Sequence, residues 1–232
     1  MKMSRSVRLK AVLSIGAVAL VGCTQEQTAN SQVEVEASSE PAVERGQPDS
    51  PSLSDSNQAR YLRQEEFSSS FGKVIVGEFG YPDGEWGHVT SGRLDVAYIR
   101  PSGEREQFER AVEVGSNGRV GEWDVTYKFT GTPVIYASGG STGQGTTEGC
   151  TVLTELTPEG PREIAVIPDY SGGMSSDGQE FETKGKIGNI KRGVSFAVSY
   201  AGQEKGTVTY QRIGGKFQTS DKPVLSHCGF EE

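Results

Sequence analysis

Few residues in this chain have the type and spacing for chemistry. Gly139-Gly140-Ser141-Thr142-Gly143 fits the pattern G-x-S-x-G, just after the strand-like run from Pro133 to Ala137. Asp169, Asp177 and Asp221 follow it, and His227 comes last. In that order a small serine hydrolase would use Ser141 as nucleophile, His227 as base and an aspartate to orient the imidazole. The surroundings disagree. A serine of this kind is exposed on a strained turn that leads from a strand into a helix. Here the next residues are Thr142-Gly143-Gln144-Gly145-Thr146-Thr147, which form helices poorly. The same stretch lacks the Gly-Lys-Ser/Thr ending of a phosphate-binding loop. We read Ser141 as part of a flexible loop and assign no catalytic residue. The hydrolase using Ser141 and His227 is one alternative, and a chain with a mainly structural role is the other.

The segment Tyr81-Pro82-Asp83-Gly84-Glu85-Trp86-Gly87-His88 joins acids, aromatics and a histidine. Pro82 to Gly84 has turn chemistry. An exposed Trp86 would stack on a sugar or anchor a protein partner, because such aromatics concentrate binding energy. Tyr81, Trp86 and His88 are therefore the candidate binding residues. The competing fate for Trp86 is burial against the core edge. Asp169 to Gly178 carries two acids and several hydroxyls. It lacks the alternating acids and terminal glutamate of an EF-hand calcium loop, and reads as a long polar loop. Two histidines and scattered thiols make no zinc spacing, so we expect no metal and no cofactor.

Lys2, Arg5, Arg8 and Lys10 precede an apolar stretch from Ala11 to Gly22. A charged start and a short apolar run form a secretory signal. The run falls short of the roughly 20 residues that a membrane-spanning helix needs. It ends in Leu20-Val21-Gly22-Cys23. Here the leader resembles that of bacterial lipoproteins, whose lipobox has this form. The resemblance implies that the Cys23 thiol takes a diacylglyceryl group, that a peptidase cuts before it, and that the new amino group is acylated. Two or more chains hold a protein stably on a membrane. Thr24 follows the cysteine where Asp marks inner-membrane retention, which implies delivery to the outer membrane. It also implies an oxidising compartment, in which the remaining Cys150 and Cys228 pair as a disulfide.

Charge bounds the partners. The leader holds four of the 23 basic residues and no acid, which leaves 19 Lys and Arg against 31 Asp and Glu, a net of -12. Such a field repels nucleic acid and anionic lipid heads. No basic block in the sequence interrupts it. The expected partners are the membrane, through lipid on Cys23, and an envelope protein or glycan.

The elements that must position these residues start late. Residues 24–60 contain no aromatic, no lysine and seven acids, and cannot bury enough apolar surface to offset their ordering entropy. We expect residues 1–22 as signal peptide, 23–60 as a lipidated disordered tether and 61–232 as one β-rich domain. A short helix over Asp55 to Phe67 would join the last two. Within the domain, two-residue alternation dominates. Trp123, Val125, Tyr127 and Phe129 share one face, as do Leu94, Val96 and Tyr98, and Val194, Phe196, Val198 and Tyr200. Thr157 to Pro161 and Gly214-Gly215 are hairpin signals. These features predict an all-β domain of about nine or ten short strands. It would be an antiparallel sandwich or open barrel in which 72–137 and 150–219 supply two sheets of one core. The segment Pro133 to Pro168, with its Gly-rich run, the Thr151 to Pro161 hairpin and Ile167-Pro168-Asp169-Tyr170, resembles bacterial secreted proteins of uncharacterised activity. That resemblance implies no activity.

Overall fold

A computed structural model describes residues 61–81, 90–143, 145–175, 177–225 and 228. The signal peptide, Cys23 and the tether lie outside the described residues. Every element is a strand, and all named pairings are antiparallel. The first sheet holds β1 (Tyr61–Ser69), β2 (Gly72–Phe79), β3 (Gly92–Ile99) and β4 (Arg105–Val114), in that order. The second holds β5 (Glu122–Thr126), β6 (Val134–Gly143), β7 (Thr146–Thr157), β8 (Gly160–Met174), β9 (Glu180–Lys191), β10 (Ser195–Gly202), β11 (Gly206–Ile213) and β12 (Lys216–Gln218), again in chain order. Each strand pairs with the next, so the sheets are meanders that do not close into a barrel.

The core has two layers because β6 and β7 are buried on both faces. Val74, Val76, Leu94, Val96 and Tyr98 of the first sheet pack on Trp123, Val125, Ile135, Val152 and Leu156. Leu153, next to Val152 on β7, points the other way and joins Ile164, Ile167, Phe196, Val198, Tyr210 and Phe217. The second sheet therefore curls, laying β10 to β12 over the far face of its own centre. Period-two alternation explains the switch, since neighbours on a strand face opposite sides. The rings of Phe196 and Tyr210 stack at 4.9 Å, and Phe129 meets Phe196 edge-on.

The structure revises several sequence expectations. Residues 61–67 are strand rather than helix, and 55–60 lie outside the described residues. Pairing with β2 and burial of Phe67 override the weak helical periodicity. Twelve strands replace nine or ten. Two of the missed strands, β4 and β9, are polar and owe their place to pairing on a neighbouring strand. The 139–149 loop is largely the paired tip of the β6–β7 hairpin, and β8 runs through the expected polar loop as far as Met174. The sheet boundary falls between Val114 and Glu122, not near 137–150. Tyr127 and Phe129 leave the alternation, because β5 ends at Thr126 and Phe129 enters the second layer.

Antiparallel order sends alternate turns to opposite ends of the second sheet. One end carries the 127–133 connection and the β7–β8, β9–β10 and β11–β12 turns. It gathers Lys128, Arg162, Lys191, Arg192, Arg212 and Lys216 against Glu155, Glu159 and Glu163. The other end carries the β6–β7, β8–β9 and β10–β11 turns. Among the described residues of these turns, Glu148, Asp177, Glu180, Glu182 and Glu204 stand with Lys184 and Lys205. A basic cluster thus exists that no contiguous stretch of sequence displays.

Candidate functional site

Tyr81 lies at the end of the first sheet, where β2 hands over to the segment 82–89. Its hydroxyl donates to the Ser91 carbonyl at 3.1 Å, so the two ends of that excursion are tied together. Trp86 and His88 lie outside the described residues. The Tyr81 ring meets Phe79 edge-on at 5.0 Å, and Phe79 in turn meets Tyr61 at 6.1 Å. Alternation and pairing place all three on the outer face of the sheet, away from the interior layer. Tyr61 pairs with Phe79 across β1 and β2.

A charged pair stabilises this aromatic row. The Arg93 guanidinium lies 4.2 Å over the Phe79 ring. Its Nε and one terminal nitrogen donate to Asp95 at 2.7 and 2.8 Å, a two-pronged bond that fixes the plane of the guanidinium. Asp95 is fully buried, and it also accepts from the Tyr61 hydroxyl at 2.9 Å and the Arg110 backbone N–H at 2.8 Å. Burial first, and then the hydrogen bond to Asp95, push the Tyr61 phenol far above its ordinary value. The Asp95 hydrogen bond raises the Arg93 pKa further, so both side chains hold their protons. Arg110 occurs where the β3–β4 register shifts, and its φ of 56° is the left-handed conformation. Asp95 supports that bend by taking the N–H that the ladder leaves over.

The Tyr61 and Tyr81 rings stay partly exposed, while Phe79 is buried under the Arg93 guanidinium and both phenol protons are donated within the chain. What the row can give a partner is stacking on the two tyrosine rings. Sequence reasoning found Tyr81 but missed Tyr61, Phe79, Arg93 and Asp95. The signal was present as Phe79-x-Tyr81 and Arg93-x-Asp95, two alternating pairs that flank the same turn.

The Ser141 reading meets a different geometry. Ser141 sits in regular pairing with Glu148 inside the β6–β7 hairpin, so no strand-to-helix elbow forms there. Asp169 belongs to β8, two strands from β6, and receives a hydrogen bond from the Thr151 hydroxyl. Asp221 accepts from the Thr209 N–H at 2.7 Å, and Asp177 bonds Ser175. None of the three is bonded toward Ser141, and His227 lies outside the described residues. Burial lifts the Asp169 carboxyl above its usual range despite the Thr151 hydroxyl. The phenol oxygen of Tyr136 lies 3.3 Å from the Thr151 hydroxyl, and that of Tyr200 donates to the Pro168 carbonyl at 2.7 Å. Asp169 is thus enclosed in a polar cluster with no serine or cysteine thiol bonded to it.

Cys150 and Cys228 are joined, with Cα atoms 5.4 Å apart. The bond pins the C-terminal strap to β7 after Val224 and Leu225 have packed against the second layer. Among the described residues, no group of three or more His, Cys, Asp or Glu is arranged to hold a metal. An open groove of about 470 Å³ lies at the acidic end, lined by Ser175, Asp177, Gln179, Glu180, Phe181, Glu182 and Gln203. The Ser175 hydroxyl keeps the Asp177 carboxyl below its usual range, and Lys184 does the same for Glu182.

No family model, no curated protein and no solved structure matches the chain.

Proposed function

We propose that this chain is a lipid-anchored cell-envelope protein whose β domain binds a protein or glycan partner and performs no chemistry on it. The Tyr61–Phe79–Tyr81 row, with Arg93 held flat beside it by Asp95, carries this reading. Aromatic and arginine side chains dominate binding energy at interfaces. Here they converge at the base of the 82–89 segment, which adds Trp86 and His88 in sequence. The leader and Cys23 support the envelope location, and Thr24 supports delivery to the outer membrane in a cell with two membranes.

Trp86→Ala is the sharper probe, because Tyr81 also packs on Phe79 and bonds Ser91, so its removal would cost stability as well. Wild-type and Trp86→Ala chains would be compared for retention on isolated envelope glycan and for in-cell crosslinked protein partners. The expected outcome is at least tenfold weaker capture with an unchanged melting temperature. Undiminished capture of every partner, with the fold intact, would remove this site from the account.

A further inference from the structure

We propose that the basic end of the second sheet is a docking surface for the anionic headgroups of a lipid bilayer. The surface is distinct from the aromatic site and needs no contribution from the lipid on Cys23. On the turns of this sheet six cations meet three carboxylates, two of them already engaged, and the Arg100–Glu106 pair of the first sheet adds one charge of each sign where Arg100 donates to the Pro158 carbonyl at 2.7 Å. Glu155 is buried between Arg162 and Arg212, and Glu163 lies 3.8 Å from Lys216. Lys128, Lys191 and Arg192 are exposed, and none has an ion-pair partner among the described residues.

The same end exposes aliphatic side chains at its turns. Val194 is 60% exposed and Ile213 is 57% exposed. They are neighbours across β10 and β11, since the Arg212 N–H donates to the Val194 carbonyl at 2.9 Å. Gly193, Gly214 and Gly215 all have positive φ, which makes both turns tight and narrow. Narrow tips that carry aliphatic residues beside lysine and arginine suit the bilayer interface. The cations meet headgroup phosphates, and the apolar residues enter the acyl boundary.

The net charge of the chain does not forbid this contact. The acidic turns lie a strand's length away, about 30 Å for nine residues, whereas screening acts within about 8 Å at physiological salt. The proposed tether does not forbid it either. Tyr61 starts β1 at the far end, and a chain of that length with the behaviour expected of a tether would have a root-mean-square reach of about 33 Å. Docked in this way, the domain turns Tyr61, Phe79 and Tyr81 away from the membrane and toward a partner.

Amide hydrogen exchange on the full chain tests the proposal locally, so that membrane binding by the leader or by lipid does not mask the result. The chain would be mixed with vesicles of 70:30 phosphatidylcholine and phosphatidylglycerol, with pure phosphatidylcholine vesicles, and with inorganic phosphate. Exchange at 191–195 and 211–216 should slow at least threefold on the mixed vesicles only. The 203–206 turn serves as the internal reference and should not change. High salt and the exposed-site double variant Lys191→Glu/Arg192→Glu should each abolish the effect, while protection inside β10 stays as in wild type. An anionic surface attracts each basic residue by roughly fivefold in affinity, so reversing two gives a decisive loss. Equal slowing on neutral vesicles, slowing by free phosphate, slowing that survives the double variant, or no slowing would each overturn the proposal.

Discussion

Two carboxylates, one buried and one half-buried, mark the two ends of the curled sheet, and their surroundings are opposite. Glu155 receives Arg162 at 2.6 Å, Arg212 at 2.9 Å and the Thr132 hydroxyl at 2.7 Å. Burial alone would raise its pKa, but these three donors outweigh burial and hold it below the usual carboxylate range. Asp169 is half-buried toward the acidic end with the Thr151 hydroxyl, and there desolvation prevails and raises the pKa. The first carboxylate stitches β7, β8, β11 and the 127–133 connection together and leaves the outward lysines free to meet other surfaces. The second weakens its own end at neutral pH, where a disulfide supplies the closure instead. The same meander thus yields a firm basic end and an acidic end that depends on a covalent latch.

Removing Glu155 should have the largest effect. Glu155→Ala leaves Arg212 partly buried without its carboxylate, and breaking a buried pair on one side costs about 3–5 kcal/mol. Denaturant unfolding would show that loss, and faster hydrogen exchange should appear at 211–216 before it appears at 203–206. Equal loosening of both ends would break the contrast.

Cys228→Ser comes next. Releasing a cross-link across 78 residues costs about 2–4 kcal/mol, mainly through the unfolded chain. Here exchange should rise first at 206–210, where Val224 crowds Gly206 and Asp221 holds the Thr209 N–H. A uniform rise would mean that the strap does not latch that end in particular.

Asp169→Asn should act in the stabilising direction, and pH shows why. A carboxyl whose folded pKa is raised binds its proton more tightly in the native state. Its penalty is therefore absent below the unfolded pKa and complete above the folded one. The variant should melt higher than wild type at pH 7 and equal it near pH 3, below the unfolded value of about 3.9. Glu155 has the opposite sign, since its contribution is lost as pH falls through its depressed pKa. The smallest effect belongs to Thr154, whose buried hydroxyl has no partner. Thr154→Val should change stability by no more than about 1 kcal/mol, and favourably.

The legible part of the fold was the part with large apolar residues at period two. Leu94-x-Val96-x-Tyr98 and Phe196-x-Val198-x-Tyr200 stand where alternation put them, as does the buried Trp123. The Gly214-Gly215 hairpin and the Cys150–Cys228 bond were legible for local and compositional reasons. What escaped was structure that exists only through a neighbour. Strand β9, with Lys184, Lys186 and Lys191 among its glycines, has no core of its own to advertise. The Gly139 to Gly149 run looked like a loop because hairpin tips need backbone pairing and no apolar side chains. The basic end escaped for the same reason. Its cations come from four separate turns, and only the strand order assembles them. At the aromatic site the sequence showed Tyr81, while the row with Tyr61 and Phe79 required the β1–β2 register.

On these two proposals, opposite ends of one domain face a membrane and a partner. Photocrosslinking in cells tests this most directly, with a photoreactive amino acid placed at Arg192 in one strain and at Trp86 in another. The account predicts lipid adducts from position 192 and protein or glycan adducts from position 86. Lipid adducts from position 86, or the same class of adduct from both positions, would contradict it.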